Sequence, residues 1–332
     1  MKCIQTEKQK LLSPQPTLLD TLREIDKRQG LDPYPKYKDQ LYRLEKGQEG
    51  EEKLIHYLQT YGAPHWTILR NLWLEHFGEF ECDLLLLTRL GPIAFEIKNY
   101  SGQLTLQNNQ YLLNGKVIGH NPFSQAQKVV TNLSNLLQTP LEGVLAFAGA
   151  HNPVELHDDV SGIDVLMRSE FPQYIRQLAQ KERQARPIDT TTLLKKLAPF
   201  EIGRPSKEKT LPGEIKTGVR RGIRCCHCSR FDLEIRKNYV ICPCGMHEPR
   251  EEAIVRTICE YGVIYPEREL TTQALTDFFA GEISKSTVFR YLTKHFKQTG
   301  TYRSVKYQNP QRVFNQQKPF FHLTEPKYMW ID

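Results

Sequence analysis

The chain has no long apolar run. None approaches the roughly 20 residues that a helix needs to cross a bilayer, and the opening MKCIQTEKQK has no stretch resembling a signal peptide. We therefore expect a cytoplasmic protein that needs no membrane partner and no disulfide framework. Internal repeats and the HExxH spacing of a zinc hydrolase are also missing, so His151 and His157 are weak candidates for such chemistry.

Composition is that of a globular protein of more than one domain. The 332 residues are 39% hydrophobic and 25% charged, with a formal charge of +7. The positive charge is uneven, because residues 204–237 hold ten Lys and Arg against four Asp and Glu. This concentration favours a polyanionic partner, and an ordinary basic linker is the alternative.

Changes in pattern divide the chain into five segments. Helices and strands from residue 46 onward predict an α/β (α+β) domain with a mixed β-sheet flanked by helices. The segments are an N-terminal helical or irregular extension (1–45), the α/β domain (46–200), a linker (201–217), a cysteine-rich module (218–248) and a helical domain (249–332). We assign no chemistry to the N-terminal extension, in which a helix is predicted over 17–29.

A predicted hairpin carries the most informative residues. CDLLLLT (82–88) and IAFEIK (93–98) read as strands joined by a turn at 90–92. Glu96 and Lys98 share one face because side chains alternate along a strand. Folding the hairpin brings Asp83 beside them, although the register stays open. Two carboxylates and a lysine at one strand end suit a divalent metal that activates water against a phosphodiester.

Glu51 lies on a helix predicted over 47–62, on or beside its apolar stripe. It is either a fourth member of this site or a first-turn glutamate favoured by the helix dipole. The E-x-K spacing alone also fits a salt-bridged, solvated strand face. The upstream Asp83 and the preceding helix with Glu51 favour the site.

Several motifs together resemble the nuclease-related domain, or NERD, family, which is similar to the PD-(D/E)xK nucleases. They are Gly50-Glu51, Glu81-Cys82-Asp83, Glu96-Ile97-Lys98-Asn99-Tyr100-Ser101-Gly102 and Asn121-Pro122-Phe123-Ser124-Gln125. The resemblance covers about residues 46–170, and Cys82 replaces the proline of the superfamily name. It implies a nuclease-like sheet, Asp83 and Glu96 as ligands of Mg²⁺ or Mn²⁺, and Lys98 as the catalytic lysine. It also implies Glu51 as the helix carboxylate and Gln125 as a substrate or site-edge residue.

The cysteine-rich module has the spacing of a zinc ribbon. Cys225 and Cys228 precede Cys242 and Cys244 across a predicted hairpin at 232–241. Four thiolates around one structural Zn²⁺ fit this pattern, and a module this small needs a metal to fold. The second knuckle is tight, so Cys226, His227 or His247 can replace one ligand.

Three helices predicted at 251–264, 271–281 and from Ser284, followed by a possible wing at 301–314, resemble a winged helix-turn-helix. On the third helix Lys285, Ser286, Thr287 and Arg290 would face the major groove, and Lys294 a phosphate. A structural or protein-docking domain is the alternative, since residues 250–332 hold only twelve basic against nine acidic side chains.

Together these features predict a metal-dependent nuclease delivered to DNA by its C-terminal modules, with RNA as the alternative nucleic acid. The alternative is a catalytically inactive nuclease fold that binds DNA or regulates another protein. The oligomeric state is left open by the sequence.

Overall fold

The computed structural model describes residues 17–100, 102–108, 110–119, 121–150, 154–156, 162–185, 188–202, 211, 213–300 and 305–309. The chain divides into two units. The sheet unit contains the described residues of 43–202, and the helical unit contains 17–42 together with those from 211 onward. Across the described ranges, every helix is too short or too polar to cross a membrane.

The helices are α1 (Leu18–Gln29), α2 (Pro35–Tyr61), α3 (Pro122–Leu137), α4 (Phe171–Glu182), α5 (Thr190–Leu197), α6 (Gly213–Thr217), α7 (Arg250–Ile264), α8 (Thr272–Phe278) and α9 (Lys285–His295). The strands of the sheet unit are β1 (Thr67–Glu75), β2 (Glu79–Leu87), β3 (Pro92–Lys98), β4 (Leu104–Gln107), β5 (Gln110–Leu113), β6 (Lys116–Val117), β7 (Glu142–Phe147), β8 (Val154–Leu156) and β9 (Asp164–Met167). The helical unit contains β10 (Glu234–Ile235), β11 (Tyr239–Ile241), β12 (His247–Pro249), β13 (Gln298–Thr299) and β14 (Lys306–Tyr307).

The main sheet has the strand order β1-β2-β3-β7-β9. Its first three strands form an antiparallel meander, and β7 and β9 add in parallel to β3. A mixed sheet flanked by helices was predicted and is confirmed. A smaller sheet of order β6-β5-β4-β8 also forms, and its strand β8 was not predicted.

Helices cover both faces of the main sheet, which is why its strands are continuously apolar. On one face Leu54 and Leu58 of α2 pack with Phe171 of α4. On the other, Leu133 of α3 packs with Leu193 of α5. Buried strand residues therefore alternate between the two cores, and polar side chains are confined to strand ends and edges.

The predicted helix over 47–62 is only part of α2, which begins at Pro35. Proline at the start of a helix loses no hydrogen bond, because the first N–H groups have no partner within the helix. The predicted helix over 17–29 is confirmed as α1, and the side chain of Thr17 accepts a hydrogen bond from Asp20 N.

In the helical unit, α7 is the central element. Every residue from Ala253 to Ile264 is buried, because α1, α8, α9 and the strands β11 and β12 contact it. Strands β10, β11 and β12 form a small antiparallel sheet, and β13 pairs with β14. Most of the predicted wing (301–304 and 310–314) lies outside the described residues.

Buried charges join α1 to the rest of the helical unit. Arg28 bonds Glu260 at 2.6 Å, and Arg224 bonds Glu24 at 2.9 Å and Glu260 at 2.8 Å. Arg256 completes the network through Glu248 and Glu260. Three arginines and three glutamates thus neutralise one another away from water. Removing one partner leaves an uncompensated buried charge, which is strongly destabilising.

Candidate nuclease and zinc sites

Asp83 lies where β2 enters its pairing with β3. The register places Leu84 opposite Phe95, so Asp83 comes next to Glu96 and Ile97. Ile97 N donates a hydrogen bond of 2.8 Å to Asp83 Oδ2. The hairpin therefore brings Asp83 to the residues that the sequence placed nearby without determining the register.

Glu96 and Lys98 project from the same face of β3 and form an ion pair. Lys98 Nζ lies 2.7 Å from Glu96 Oε1, and their side chains are only 17% and 10% exposed. Ile97, between them, points into the opposite core with Phe95. Alternation along β3 therefore separates the polar pair from the apolar face, as predicted.

The carboxylates crowd one another. Burial and the charges of Glu96 and Glu51 together raise the pKa of Asp83 to about 8, against the opposing effects of the Ile97 N–H and Lys98. Burial alone would lower the pKa of Lys98, but Glu96 raises it above its ordinary value. The cluster has more negative charge than Lys98 alone can neutralise, which is the electrostatic condition that a divalent cation relieves.

Glu51 reaches this neighbourhood because α2 approaches the strand ends closely at Gly50. A Cβ at Gly50 would lie 2.8 Å from the Cβ of Asn99 and 3.4 Å from that of Ala148. Asn99 Nδ2 also donates to Lys46 O on α2 at 2.7 Å. Gly50 and Asn99 thus fix the position of the helix that carries Glu51.

Tyr100 is a further neighbour to which no role was assigned from the sequence. Burial raises the pKa of its hydroxyl, and the charges of Lys98 and Glu96 act on it as well. The three residues with missed roles, Gly50, Asn99 and Tyr100, all stand within the quoted motifs. Their position in sequence next to Glu51 or Lys98 was the one signal that could have pointed to Gly50, Asn99 and Tyr100. The contacts of Gly50 and Asn99, however, depend on how α2 packs.

Gln125 is exposed in the first turn of α3, which is capped by Asn121. Among the described residues, no hydrogen bond connects its side chain to Asp83, Glu96 or Lys98. The structure therefore gathers Glu51, Asp83, Glu96 and Lys98 but does not bring Gln125 into their contacts.

The four predicted zinc ligands converge. The Sγ atoms of Cys225, Cys228, Cys242 and Cys244 all lie within 4.8 Å of one another. Cys225 Sγ is 3.7 Å from Cys244 Sγ, and Cys228 Sγ is 3.5 Å from Cys242 Sγ. Tetrahedral Zn–S bonds of about 2.3 Å require S···S separations of about 3.8 Å, so this thiol set fits Zn²⁺.

The alternative ligands Cys226, His227 and His247 do not join this group. His227 instead donates its backbone N–H to Cys225 Sγ at 3.4 Å. Although burial opposes it, such N–H donation from the knuckle helps lower the pKa of Cys225 to about 7. Within the described part of the chain, only these four cysteines form a set of three or more potential ligand side chains this close together. Glu51, Asp83 and Glu96 are more widely spaced, while His151 and His157 lie outside the described residues.

Helix α9 begins after Ser284, whose Oγ accepts from Thr287 N, as predicted. Lys285, Ser286, Arg290 and Lys294 are exposed, as expected. Thr287 is partly exposed, and its hydroxyl lies 2.9 Å from Ser284 Oγ, so this side chain also contributes to the helix cap. Lys294 is held by Glu251 at 2.7 Å. Phe289, 50% exposed on the same face, was missed.

The second helix of this module also differs from the prediction. It ends at Phe278, and Gly281 instead adopts a left-handed conformation (φ 86°) in the turn to α9. Glycine tolerates this conformation without steric cost. The turn that separates α8 from α9 is therefore longer than expected.

Residues 46–148 match the family model described as the nuclease-related domain (NERD), and this segment of the chain carries that domain. The matched segment includes Glu51, Asp83, Glu96, Lys98 and Gln125. Neither the comparison with curated proteins nor that with solved structures gave a match.

Proposed function

We propose that the protein is a metal-dependent nuclease that hydrolyses phosphodiesters at the Asp83, Glu96 and Lys98 cluster. The observation that carries the proposal is the convergence of two half-buried carboxylates and a half-buried lysine at the ends of β2 and β3. Glu51 adds a third carboxylate within electrostatic reach. A salt-bridged solvated strand face is a poorer account, because the Lys98–Glu96 pair is largely withdrawn from water.

Asp83 and Glu96 are the residues that would hold Mg²⁺ or Mn²⁺, since both ions prefer carboxylate oxygens. When bound, such an ion lowers the pKa of a coordinated water and neutralises charge on the phosphate. Lys98 can orient the attacking water and stabilise the negative charge that develops on the oxygens of the reacting phosphate. Glu51 would complete or orient the ligand set from α2.

Delivery to nucleic acid is assigned to the helical unit. The zinc ribbon would be held by Cys225, Cys228, Cys242 and Cys244, with the metal in a structural role. Helix α9 would present Lys285, Ser286 and Arg290 to DNA, with Lys294 near phosphate and RNA as the second possible substrate. The uncharged cap residue Thr287 would support the helix start rather than read a base.

The test is cleavage of plasmid, linear duplex and single-stranded substrates with Mg²⁺ or Mn²⁺ added to the purified protein. We expect Asp83→Asn and Lys98→Met each to reduce cleavage at least about a hundredfold, because each removes a group acting on the reacting phosphate. Glu79→Gln and Lys128→Met are matched controls, since both positions are exposed outside the cluster on β2 and α3.

Unchanged cleavage in Asp83→Asn and Lys98→Met would show that the assigned site is wrong. Metal-independent DNA binding without any cleavage by the wild-type protein would instead favour the inactive, DNA-binding or regulatory alternative. Binding that is insensitive to salt would argue against phosphate contacts altogether.

A further inference from the structure

A basic groove lies in the helical unit, between the C-terminal end of α1 and the first cysteine knuckle. Its volume is about 490 Å³, and Lys27, Arg28, Arg220 and Arg230 contribute to its lining beside Phe231. None of the described residues that line it is acidic. The size is that of a ligand-binding cleft. The lining has basic but no carboxylate side chains, and the zinc-ligand candidate Cys228 also contributes to it.

Arg28 gives the groove a buried cationic lining. The residue is 2% exposed, and its Nη1 donates to Arg220 O at 2.8 Å and Gly222 O at 3.0 Å. Its Nη2 bonds Glu260, whereas its Nε is buried and has no acceptor among the described residues. Burial, with the nearby charge of Arg224, lowers the pKa of Arg28. Its side chain is 0% exposed and pairs with Glu260, so Arg28 forms the floor of the groove and the exposed arginines must make any contact with a ligand.

Arg220 and Phe231 provide a stacked pair beside Arg28. The Arg220 guanidinium lies 4.4 Å from the centre of the Phe231 ring, and the Arg28 guanidinium lies 5.7 Å from it. Arg220 is exposed, so its planar guanidinium can meet solvent on its other face. A flat cation over an aromatic ring is a surface on which nucleobases stack.

Arg230 completes the exposed part of the lining. It contacts Asp232 through two bonds of 3.0 and 2.8 Å, but both side chains are more than half exposed. An exposed ion pair of this kind contributes little stability. Arg230 can therefore exchange the carboxylate for a phosphate, which arginine also binds through two donors.

We propose that this groove binds the phosphate backbone of a nucleic-acid strand, with a base against the Arg220–Phe231 pair. Cationic lining with planar side chains is the combination used by proteins that bind single strands. The proposal rests on the proposed function only in choosing nucleic acid as the polyanion. It gives α1 and the zinc ribbon a joint binding role that is separate from α9.

The test measures the anisotropy of a fluorescein-labelled oligothymidylate bound by the full-length protein, without added Mg²⁺ or Mn²⁺. No chelator is added, which spares a zinc site, and a gel confirms that the oligonucleotide stays intact. The key variants are Arg220→Gln and Arg230→Gln. Arg236→Gln is the matched control, because Arg236 has the same exposed two-bond contact with a carboxylate, Glu234, and does not line the groove.

Each phosphate contact adds about 0.7 to the slope of log affinity against log salt for a single strand. We therefore expect Arg220→Gln and Arg230→Gln each to lower that slope by about 0.7 and to weaken binding about fivefold at roughly 0.1 M salt. Arg236→Gln should leave both quantities unchanged. Equal circular dichroism and zinc content of the variants would establish that they remain folded.

The proposal would be overturned if Arg220→Gln and Arg230→Gln both kept the affinity and the salt slope of the wild-type protein. It would also be overturned if Arg236→Gln lost as much affinity as they did. A loss confined to binding of an acidic peptide would also overturn it and assign the groove to a protein partner. Failure of cleavage would refute the proposed nuclease but leave the anisotropy result intact. Conversely, normal cleavage with unchanged anisotropy in the variants would refute the groove alone.

Discussion

Two glycines of α2 give a sharp test of how this helix is placed. Gly47 and Gly50 lie one turn apart in the same helix, and an added Cβ would meet open space at Gly47. At Gly50 the same Cβ would lie 2.8 Å from Asn99 Cβ and 3.4 Å from Ala148 Cβ. The pair therefore separates the helix propensity of alanine from the cost of a steric contact.

Alanine is favoured over glycine inside a helix by about 1 kcal/mol. Gly47→Ala should therefore stabilise the protein by up to about 1 kcal/mol. Gly50→Ala has the same intrinsic gain, but overpacking a buried contact costs about 1–3 kcal/mol. We expect the free energies of unfolding of the two variants to differ by about 1–3 kcal/mol, with Gly50→Ala less stable.

Urea unfolding followed by tryptophan fluorescence measures this difference, because Trp66 is fully buried in the core beneath α2. The contact at Gly50 also sets the position of Glu51. Gly50→Ala should therefore reduce any metal-dependent cleavage, whereas Gly47→Ala should not. If the two variants were stabilised equally, the close approach of α2 to Asn99 would be wrong.

Two further predictions concern the helical unit. Metal analysis of the wild-type protein should find one Zn²⁺ per chain. Cys228→Ser should lose this zinc and unfold the ribbon, whereas Cys226→Ser should retain it. Equal zinc content in the two variants would reject the ligand assignment. Burial alone would raise the pKa of Glu260, but Arg256, Arg28 and Arg224 together lower it to about 2. The stability that this group contributes is therefore fully present above its ordinary pKa near 4.5 and is lost as pH falls toward 2, by about 3 kcal/mol at about 1.4 kcal/mol per pH unit. Arg256→Met should lower the free energy of unfolding by about 3–5 kcal/mol at neutral pH and should reduce its acid-dependent loss. Urea unfolding at several pH values measures both effects. A loss below about 1 kcal/mol, as for an exposed ion pair, would contradict the burial of the network.

Much of the sheet unit could be predicted because its signals are local. Alternation placed Glu96 and Lys98 on one face of β3. The spacing of Cys225, Cys228, Cys242 and Cys244 likewise predicted which thiols converge, since each knuckle is a short local turn. These patterns depend on neighbours in the chain, so no tertiary information was needed to read them.

Other features could not be predicted because a contact distant in sequence decides them. Helix α7 is buried all round because α1, far away in sequence, packs against it. No local periodicity in 250–264 can reveal a partner that lies in the N-terminal segment.

The sequence by itself determined the nuclease-related character of residues 46–148, the identities of the polar residues and the thiol set, because strand alternation and short turns are local properties. Tertiary structure decided the hairpin register that sets Asp83 against Ile97 and the close approach at Gly50 that delivers Glu51. It also decided the buried arginine–glutamate network, which joins α1 to the cysteine-rich module and α7. These features depend on packing between distant segments, where a difference of one residue in register or one ångström in approach changes which groups meet.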